Sequence, residues 1–432
     1  MGKDNVLIVG SGGREHALGW KLKQSEDVGK IYFAPGNAGT WEDGENIGDG
    51  TKKDNFPALF NFVDDKKIRM VVVGPENPLN DGIVDYAHSL GYDRVFGPSK
   101  KATGLESDKF LSHRIMKSAS VPRARSALCL STETARGMIP EIANENGVVI
   151  KARGLTGGKG VFVADSREQA LLELDNHAKE YGGHVLIAER LMGEEFSVFG
   201  ISDGNRVYPF EMSFQDHKRL LDGDKGPNTG GMGAYGPAPI ASAEIVRNVA
   251  DKIMTPVVQK MKDLEMEYQG FLYAGMIMTR EGPKVIEFNA RFGDPECQPA
   301  MMMLKSDLYQ VLSNSLDGNL DGTKMEFNPG AALCVVQAMP GYPKKYEKDA
   351  PISGLENVKG MDGVKVFHAG TALKDGKIVT SGGRVLGVTA YSPRGFTLAQ
   401  PLAYAAAIKI NIPGGFHQRS DIGYKALRRI NM

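Results

Sequence analysis

Hydrophobic positions in the first hundred residues form short β-branched runs separated by stretches with helical periodicity. The runs predict strands at 6–9, 31–33, 68–73 and 95–96, and the stretches predict helices at 15–24, 56–63 and 82–90. Strands that alternate with helices need crossover connections, so this rhythm predicts a parallel sheet covered by helices. We therefore expect a Rossmann-like N-terminal domain over residues 1–102.

The pattern changes after residue 107. A predicted helix at 108–118 precedes short strands at 148–152 and 160–164, which a glycine-rich loop joins in place of a helix. The later predicted elements are helices at 167–181 and 398–410 and strands at 185–189, 271–278, 331–338, 364–369 and 385–390. Between them lie dense polar and glycine motifs, so we expect a mixed α+β region after the parallel sheet.

Composition sets the size and excludes some functions. The 432 residues suggest about three domains. Lysine and arginine number 52, as do aspartate and glutamate, so the formal net charge is zero. Because nucleic acid binding needs clustered cations, this balance argues against nucleic acid as the main partner. The 53 glycines predict many tight loops, and such loops often approach phosphates.

Targeting and redox signals are weak. No apolar run reaches the ~18 residues of a membrane span, and a strand begins within the first few residues, so we expect neither a signal peptide nor membrane association. Cys129, Cys297 and Cys334 are scattered without metal-ligand spacing. They favour buried thiols in a reducing cytoplasm over a zinc site or a disulfide framework.

A glycine-rich loop at 10–16 joins the first strand to the first helix, where backbone N–H groups favour an anion. An NAD fingerprint would need glycine where Glu15 stands, and the second strand ends at 33–37 without an acid for the ribose. A phosphate of another ligand is favoured. NAD and a purely structural turn remain alternatives.

A second glycine-rich loop at 151–161 carries Lys151 and Lys159 between two strands. It is not a Walker A loop, because the Gly-to-Lys spacing is one residue short and Gly160 replaces the Ser or Thr that holds Mg²⁺. Two lysines around four glycines indicate a lid that closes over a triphosphate. A hairpin without a ligand is the alternative.

Two further segments carry polar groups that a core does not need. Glu189 and Glu195 bracket an apolar linker, which suits a nucleoside, although a solvated acidic turn would look the same. Residues 215–219 and 226–235 combine an acid, cations and glycine N–H groups that allow close approach to a ligand. His217 within them is either structural or part of a site.

The strand before residue 290 carries the clearest candidate for a metal site. Alternation places Glu287, Asn289 and Arg291 on one face. The opposite face, toward a core, would hold Ile286, Phe288 and Ala290. An acid and an amide supply oxygen ligands for Mg²⁺, and the arginine can neutralise a transferring phosphoryl group. A bland polar strand face is the alternative. No Ser-His-Asp or Cys-His arrangement is found, so triphosphate and Mg²⁺ chemistry remains.

Together these motifs resemble the glycinamide ribonucleotide synthetase (phosphoribosylamine–glycine ligase) family of the ATP-grasp superfamily. The resemblance covers essentially the whole chain: GSGGREHAL at 10–18, PGNAG at 35–39, GPENPL at 74–79, QDHKR at 215–219, GPNTGGMGAY at 226–235, EFNARFGDPECQ at 287–298, FHAGT at 367–371, GGRVLGVTA at 382–390 and DIG at 421–423. Two departures stand out. The family usually has an acid at Arg153, followed by alanines at Thr156-Gly157, and an arginine near Met303.

The resemblance implies a division into domains and a reaction. An ATP-grasp domain would span 103–327, with its lid at about 122–193, and a small mixed C-terminal domain would span 328–432. The expected enzyme is a cytoplasmic ligase, a monomer, that uses ATP with Mg²⁺ or Mn²⁺. Glycine carboxylate would attack the γ-phosphate, and the amine of 5-phosphoribosylamine would attack the resulting glycyl phosphate, as a step of de novo purine synthesis.

The resemblance also implies roles for individual residues. ATP phosphates would contact Lys109, Lys151, Gly157, Gly158 and Lys159, adenine would contact Glu189 and Leu191, and ribose would contact Glu195. The metal would be held by Glu287 and Asn289, and the acyl phosphate by Arg291. Glycine would meet Asp216, with Lys218 beside it and Asp294 as a weaker candidate. Phosphoribosylamine would contact Gly12, Gly13, Arg14 and Asn37, and the substrate loop would contribute Asn228, Thr229 and Gly230.

Two other functions stay open at this stage. One is another ATP-grasp ligase that joins a different acid or amine. The other is a non-catalytic nucleotide-binding protein, against which the Glu287, Asn289 and Arg291 face argues.

Overall fold

The computed structural model of the chain describes residues 2–156, 159–323 and 325–430. The first part is a parallel sheet of β1 (Asp4–Gly10), β2 (Val28–Pro35), β3 (Glu45–Asn46), β4 (Ile68–Val73) and β5 (Val95–Phe96), in the order β3-β2-β1-β4-β5. Its helices are α1 (Gly13–Leu22), α2 (Phe56–Asp65), α3 (Glu76–Asp81) and α4 (Ile83–Ser89). Alternate residues of β1 pack into two apolar clusters on opposite faces. The predicted parallel sheet with helices is confirmed.

Helices α5 (Lys100–Ser107) and α6 (Lys109–Ser118) lead into a small lobe with its own core. Its elements are β6 (Ser126–Cys129), α7 (Thr132–Ile142), β7 (Val148–Ala152), β8 (Val161–Ala164), α8 (Arg167–Tyr181) and β9 (Val185–Glu189). The strands form an antiparallel sheet in the order β6-β9-β7-β8. Ile139 of α7 and Leu174 of α8 pack on Ile150 and Ile187 of this sheet. The loop between β7 and β8 is the predicted lid loop.

The rest of the chain centres on an eight-stranded sheet in the order β16-β15-β10-β11-β14-β17-β21-β18. The first half of this region contains β10 (Glu194–Asp203), β11 (Val207–Asp216), β12 (Arg219–Leu221), β13 (Lys225–Asn228), β14 (Gly233–Gly236), α9 (Ala243–Val249), α10 (Thr255–Asp263), β15 (Gln269–Thr279), β16 (Gly282–Asn289), α11 (Cys297–Met303) and α12 (Leu308–Leu316). The second half contains β17 (Ala331–Ala338), β18 (Val364–His368), β19 (Thr371–Lys374), β20 (Lys377–Thr380), β21 (Arg384–Ser392), α13 (Phe396–Ala407) and α14 (Tyr424–Ile430). Strands β12 and β13 form a separate two-stranded sheet, as do β19 and β20.

The C-terminal strands continue the central sheet. β14 pairs with β17 so that Ala234 lies opposite Cys334 and Tyr235 opposite Leu333. The backbone hydrogen bonds of the sheet therefore run across residue 328, where the sequence predicts the start of a separate domain. No local pattern in the sequence indicates this pairing, because it joins strands about a hundred residues apart.

Strands β10 and β11 lie near the middle of this sheet and were not predicted. Buried polar residues interrupt their apolar pattern, and the serines among them have partners inside the fold. Ser202 donates a hydrogen bond to the carbonyl oxygen of Tyr268 (2.7 Å), and Ser213 donates to that of Ala238 (2.9 Å). A hydropathy pattern does not distinguish such satisfied polar groups from a polar loop.

In the described ranges, no helix combines the length and apolar character that crossing a bilayer requires.

Candidate active site

The site lies where β10, β11, β15 and β16 come together, and three parts of the chain contribute to it. A cleft on these strands is lined by Glu195, Phe196, Ser197, Asp216, Lys218, Tyr273, Gly275, Met276, Ile286 and Glu287. The lid lobe reaches this cleft through Lys151, whose Nζ donates to the carbonyl oxygen of Ile286 (3.0 Å). Five of the predicted site residues thus meet in one place, although they are far apart in the sequence: Lys151, Glu195, Asp216, Lys218 and Glu287.

The proposed metal pair lies on the cleft side of β16. Glu287 pairs with Gly275 of β15 and Asn289 with Tyr273, and both of these partners line the cleft. A Cβ atom at Gly275 would stand 3.3 Å from Cγ of Glu287, so glycine leaves room for the carboxylate. The structure thus brings Glu287 and Asn289 to one face, as alternation predicts.

Alternation fails one residue earlier. The β15–β16 register shifts between Gly275 and Met276, so Val285 pairs with Met276 and Ile286 is extra. Val285 and Phe288 are therefore the buried residues of β16, whereas Ile286 lines the cleft. The prediction that Ile286 faces the core is wrong, because a β-bulge resets the alternation.

Arg291 lies between two carboxylates that sequence reasoning missed. Its Nε is 3.1 Å from Oε2 of Glu76, and its Nη2 is 3.1 Å from Oε1 of Glu106. Burial raises the pKa of Glu106, and it would also raise that of Glu76, but Arg291 and Arg14 outweigh it there and lower the Glu76 pKa. Arg291 is thus held rigidly at the junction of the N-terminal sheet with the cleft.

Asp216 is the most unusual group in the cleft. Its Oδ1 atom is buried and has no hydrogen-bond partner among the described residues. Burial and then the nearby carboxylate of Glu296 raise its pKa well above the ordinary value. Gly231 stands against it, since a Cβ there would lie 2.7 Å from the same oxygen. The arrangement leaves space and an unmatched acceptor for a small cationic group.

Lys218 and Glu195 form an ion pair at the edge of the cleft. Nζ of Lys218 is 2.8 Å from Oε2 of Glu195, and this lysine is the main cause of the lowered Glu195 pKa. Both side chains are partly exposed. A ligand can therefore reach either group.

The loop of Asn228, Thr229 and Gly230, called the substrate loop here, is held by the neighbouring hairpin strand and by Tyr342. Thr229 donates to the carbonyl oxygen of Lys218 through its N–H (2.8 Å) and its hydroxyl (2.9 Å), and Asn228 pairs with Arg219 in the β12–β13 hairpin. The N–H of Gly230 donates to the hydroxyl of Tyr342 (2.9 Å).

Arg384 is a further site residue that sequence reasoning missed. Its guanidinium donates to the carbonyl oxygens of Gly230 and Asp294 and lies 3.3 Å from the Asp294 carboxylate. Burial would raise the pKa of Asp294, but Arg384 and Arg14 outweigh it and lower that pKa. Its signal in the sequence is its place in GGRVLGVTA, a motif that carries the family resemblance but indicates no chemical role by itself.

The loop before α1 meets the Asp294 turn. A Cβ at Gly12 would lie 3.2 Å from Oδ2 of Asp294, and one at Gly13 would lie 2.5 Å from Nε2 of Gln298. Arg14 donates to the carbonyl oxygen of Phe292 (3.1 Å). The predicted binding loop for phosphoribosylamine therefore lies beside a predicted glycine-binding residue.

One anion already sits at this helix start. The Glu15 carboxylate accepts from the N–H of Gly12 (2.6 Å) and from Nε of Arg14 (2.5 Å). The N–H groups of Gly13 and Arg14 belong to the first helical turn and lack intrahelical acceptors, so they remain for a ligand. The phosphate contact at this helix start stays a prediction.

The side chain of Asn37 is fully used inside the fold. Its Nδ2 donates to the carbonyl oxygens of Ser11 (2.9 Å) and His368 (2.8 Å), and its Oδ1 accepts from the N–H groups of Gly39 and Thr40. This places Asn37 as the tie between the first loop and the C-terminal half. Its side chain has no donor left for a substrate.

The predicted nucleotide residues surround the mouth of the lid lobe. Lys109 donates to the carbonyl oxygen of Gly154 (3.4 Å), and Lys159 is exposed. Burial lowers the pKa of Lys151, although Glu287 opposes that effect. Gly157 and Gly158 lie outside the described residues.

At the far side of this mouth the linker between β9 and β10 carries the predicted adenine residues. The Glu189 carboxylate accepts from the N–H of Arg125 (2.9 Å), and Leu191 is half-buried.

His217 belongs to a buried ion cluster that anchors the β12–β13 hairpin. Its Nε2 accepts from the N–H of Gly423 (3.1 Å), and its Nδ1 lies 3.5 Å from Asp224. Arg419, whose side chain is fully buried, binds Asp224 (2.8 Å) and both carboxylate oxygens of Asp421 (2.7 and 2.8 Å). The structural alternative for His217 is therefore the better one.

The oxygen donors of the cleft fit a metal ion that takes some of its ligands from the protein and the others from a bound nucleotide. In the described ranges, no three His, Cys, Asp or Glu side chains are grouped to hold an ion by themselves. Glu287 and Asn289 supply two oxygens, which matches the way Mg²⁺ is bound by few protein ligands plus substrate phosphates and water.

The chain is similar to known proteins over its whole length. Sequence models of phosphoribosylglycinamide synthetase match in order: the N domain at residues 4–106, the ATP-grasp (A) domain at 107–297 and the C domain at 332–425. A phosphoribosylamine–glycine ligase of Rhodopirellula baltica is 47% identical, covering 99% of this chain and 99% of its own length. Another from Brucella melitensis is 44% identical over 98% of each chain.

Solved structures agree. The crystal structure of phosphoribosylamine–glycine ligase from Thermotoga maritima has a TM-score of 0.81 and 32% identity, and covers 97% of this chain and all of its own. A biotin carboxylase domain from Hydrogenobacter thermophilus, crystallised with ADP and magnesium, has a TM-score of 0.74 at 17% identity, covering 97% of this chain and 92% of its own. The second likeness shows the fold alone.

The fold and the matched ATP-grasp domain define the class: this is an ATP-grasp ligase. Within that class the chain belongs to the phosphoribosylamine–glycine ligase family of purine biosynthesis. The family predicted from the motifs is confirmed.

Proposed function

We propose that the cleft joins the carboxylate of glycine to the amine of 5-phosphoribosylamine through glycyl phosphate. One observation supports this most directly: Oδ1 of Asp216, buried and without a hydrogen-bond partner among the described residues, lies in the same cleft as Glu287. A buried carboxylate without a partner is costly, so the site is suited to a small cation such as the ammonium group of glycine. The phosphate-activating residues surround it.

The chemistry proceeds in two balanced steps. A carboxylate oxygen of glycine attacks the γ-phosphorus of ATP, the bond to the β-phosphate oxygen breaks, and ADP leaves. The amine of phosphoribosylamine then attacks the acyl carbon, loses a proton, and expels inorganic phosphate. Because phosphate is a far better leaving group than oxide, the protein needs to position and neutralise the reactants and requires no covalent nucleophile.

The nucleotide lies between the lid lobe and the central sheet in this proposal. Lys109, Lys151 and Lys159 bind phosphates, together with Gly157 and Gly158, and Lys151 already projects from β7 to the cleft strands. Adenine lies along Glu189 and Leu191, and Glu195 accepts from ribose hydroxyls. The Lys218–Glu195 pair opens to admit the nucleotide, after which Lys218 is free to meet the transferring phosphoryl group.

Magnesium or manganese, held by Glu287 and Asn289, supplies charge neutralisation for the triphosphate. Arg291 performs the same task for the acyl phosphate. Its two carboxylate partners, Glu76 and Glu106, hold the guanidinium in place without a ligand.

Phosphoribosylamine enters from the N-terminal sheet in this proposal. The N–H groups of Gly13 and Arg14 bind its 5′-phosphate at the start of α1, and Asn37 fixes the loop that presents them. Asp294, beside Gly12, and the loop of Asn228, Thr229 and Gly230 border the amine and the glycine. In this arrangement phosphoribosylamine comes from the N-terminal sheet, whereas ATP comes from the side of the lid lobe.

The expected setting of the enzyme belongs to the same proposal. The three cysteines are free and buried, which supports a reducing cytoplasm. We keep the division at residues 102 and 327, with the lid at 122–193, and a monomeric chain. Sedimentation of the purified protein at several concentrations tests the last point.

The decisive experiment is substrate-dependent release of ADP. The protein receives ATP and Mg²⁺ with glycine, phosphoribosylamine, both or neither, and sustained ADP release is expected only with both. β-Alanine in place of glycine tests the size of the acid site. Turnover with a different acid–amine pair would assign another ligase activity, and no turnover with any pair would indicate a non-catalytic nucleotide binder.

A further inference from the structure

A two-point ion pair near the nucleotide site has no part in the proposed mechanism. Nε of Arg153 lies 3.1 Å from both carboxylate oxygens of Asp108, and its Nη2 lies 2.7 Å from Oδ2. Arg153 follows β7 at the base of the lid loop, and Asp108 precedes α6. The pair therefore joins the lid lobe to the helix that begins with Lys109.

Asp108 also has contacts with α6 that favour its ionised form. Its Oδ1 caps α6 by accepting from the N–H groups of Phe110 (2.9 Å) and Leu111 (3.3 Å). Burial would raise its pKa, but the hydrogen bonds from Arg153 and from these two N–H groups outweigh it and lower the pKa. A carboxylate charge therefore stands one residue from a lysine that is proposed to bind the triphosphate.

Stability is a poor explanation for this pair. The Arg153 side chain is 43% exposed, and exposed ion pairs contribute little to folding free energy. The contacts around it point instead to the loop base: the N–H of Lys109 donates to the carbonyl oxygen of Arg153 (2.9 Å), and the guanidinium lies 5.2 Å from the Phe110 ring centre. Arg153 thus pairs with the Asp108 charge through its side chain and holds the backbone of Lys109 through its carbonyl oxygen.

We propose that Arg153 is a positioning residue for ATP: it cancels the charge of Asp108 and fixes the loop base, so that Lys109 presents an uncompensated positive charge to the phosphates. The inference rests on the proposed role of Lys109. Without Arg153 the Asp108 carboxylate next to Lys109 in the chain would be uncompensated, so it would repel a polyanion and attract the lysine ammonium.

The test is a double-mutant cycle on the full chain, read as the KM for ATP. Arg153→Met should raise that KM about tenfold while kcat and the KM for glycine stay within about twofold. Asp108→Asn keeps a good helix cap and should not raise it. In the double variant, with both charges removed, the KM for ATP should return close to the wild-type value. Arg153→Lys, which keeps the charge, should be impaired less than Arg153→Met.

A matched pair in the same lobe serves as control. Arg136 binds Asp175 at two points (2.9 Å each) between α7 and α8, away from the lid loop, so Arg136→Met should leave the KM for ATP unchanged. An unchanged KM in Arg153→Met, or no recovery in the double variant, overturns the proposal. Lys109→Met separates the two levels: if it does not weaken ATP, the proposed phosphate site itself is wrong; if it does and Arg153→Met does not, only the role of Arg153 is wrong.

Discussion

Single residues of the site differ in how far the sequence reveals them. Glu287 and Asn289 are two apart in a strand, so a local rule brings them to one face. The same rule places Ile286 wrongly, because the bulge at this residue depends on the pairing with β15, which the local sequence does not show. Glu76, Glu106 and Arg384 each lie far in sequence from the groups they bind, and only folding brings a carboxylate 215 residues away to Arg291.

Glu287→Ala and Asn289→Ala should each lower kcat by about a hundredfold or more, because the charge that develops on the phosphates loses its counter-ion. The fold should stay intact, since both side chains project into the cleft and are not part of the core. Steady-state rates at saturating Mg²⁺ measure the effect. Glu281→Gln, at the exposed turn of the same hairpin, is the control. Near-normal rates would remove the metal assignment.

Asp216 gives a prediction about pH. Its pKa is raised in the ligand-free cleft, and the protonated acid does not pair with an ammonium group. The KM for glycine should therefore rise as the pH falls through that raised pKa, while the KM for ATP follows a different profile. Asp216→Asn should raise the KM for glycine by about ten- to a hundredfold and flatten its pH dependence. A pH profile for glycine that is identical in the variant and the wild type would contradict the assignment.

Elements are positioned by ties that no single segment reveals. The β12–β13 hairpin, which follows Lys218, depends on Arg419 almost two hundred residues later. The sequence shows only the motif DIG nearby, whose Asp421 binds Arg419. A lone arginine before it has no local pattern that predicts burial, because its burial is made tolerable by Asp224 and Asp421.

Arg419→Met should lower the free energy of unfolding by about 3–5 kcal/mol, because it leaves two carboxylates without their buried partner. Urea unfolding followed by fluorescence measures the loss. Arg136→Met removes an exposed two-point pair and should cost about 1 kcal/mol or less. Equal losses in the two variants would show that the Arg419 cluster is no more than a surface feature.

At the start of α1, Gly13→Val should raise the KM for phosphoribosylamine and hardly change that for ATP. A Cβ at this position would lie 2.5 Å from Nε2 of Gln298, so the valine would displace that side chain and crowd the loop at the helix start. Gly48→Val, where a Cβ has open space in the same domain, is the control. If the substitution weakened ATP and spared phosphoribosylamine, the N-terminal sheet would have to be reassigned as the nucleotide site.

At the scale of the whole molecule, the motifs predict the order of the domains along the chain. They do not predict how the domains join. Periodicity predicted the parallel sheet, and the resemblance supplied the ATP-grasp region. The joining of the central and C-terminal strands into one sheet depends on pairing between β14 and β17. Such long-range pairing leaves no mark on the hydropathy of either strand beyond the fact that both are apolar.

A chain truncated after residue 327 should therefore fail to fold, although the family's C domain model begins only at residue 332. It would expose the edge of β14 and the apolar surface that Leu333 and Val335 cover. Thermal unfolding by circular dichroism is the measurement. A cooperative transition in the truncated chain, comparable to that of the full chain, would mean that the shared sheet is dispensable.

The shared sheet also limits how this molecule can exchange parts with its relatives. A crossover near residue 330 would pair β14 of one parent with β17 of another, and their contacts, such as Tyr235 against Leu333, would have to match. The lid lobe has its own core and only two connections to the rest of the chain, so it could be transplanted with fewer mismatches. We expect functional chimaeras to tolerate breakpoints around the lid and to reject those that separate the two halves of the sheet.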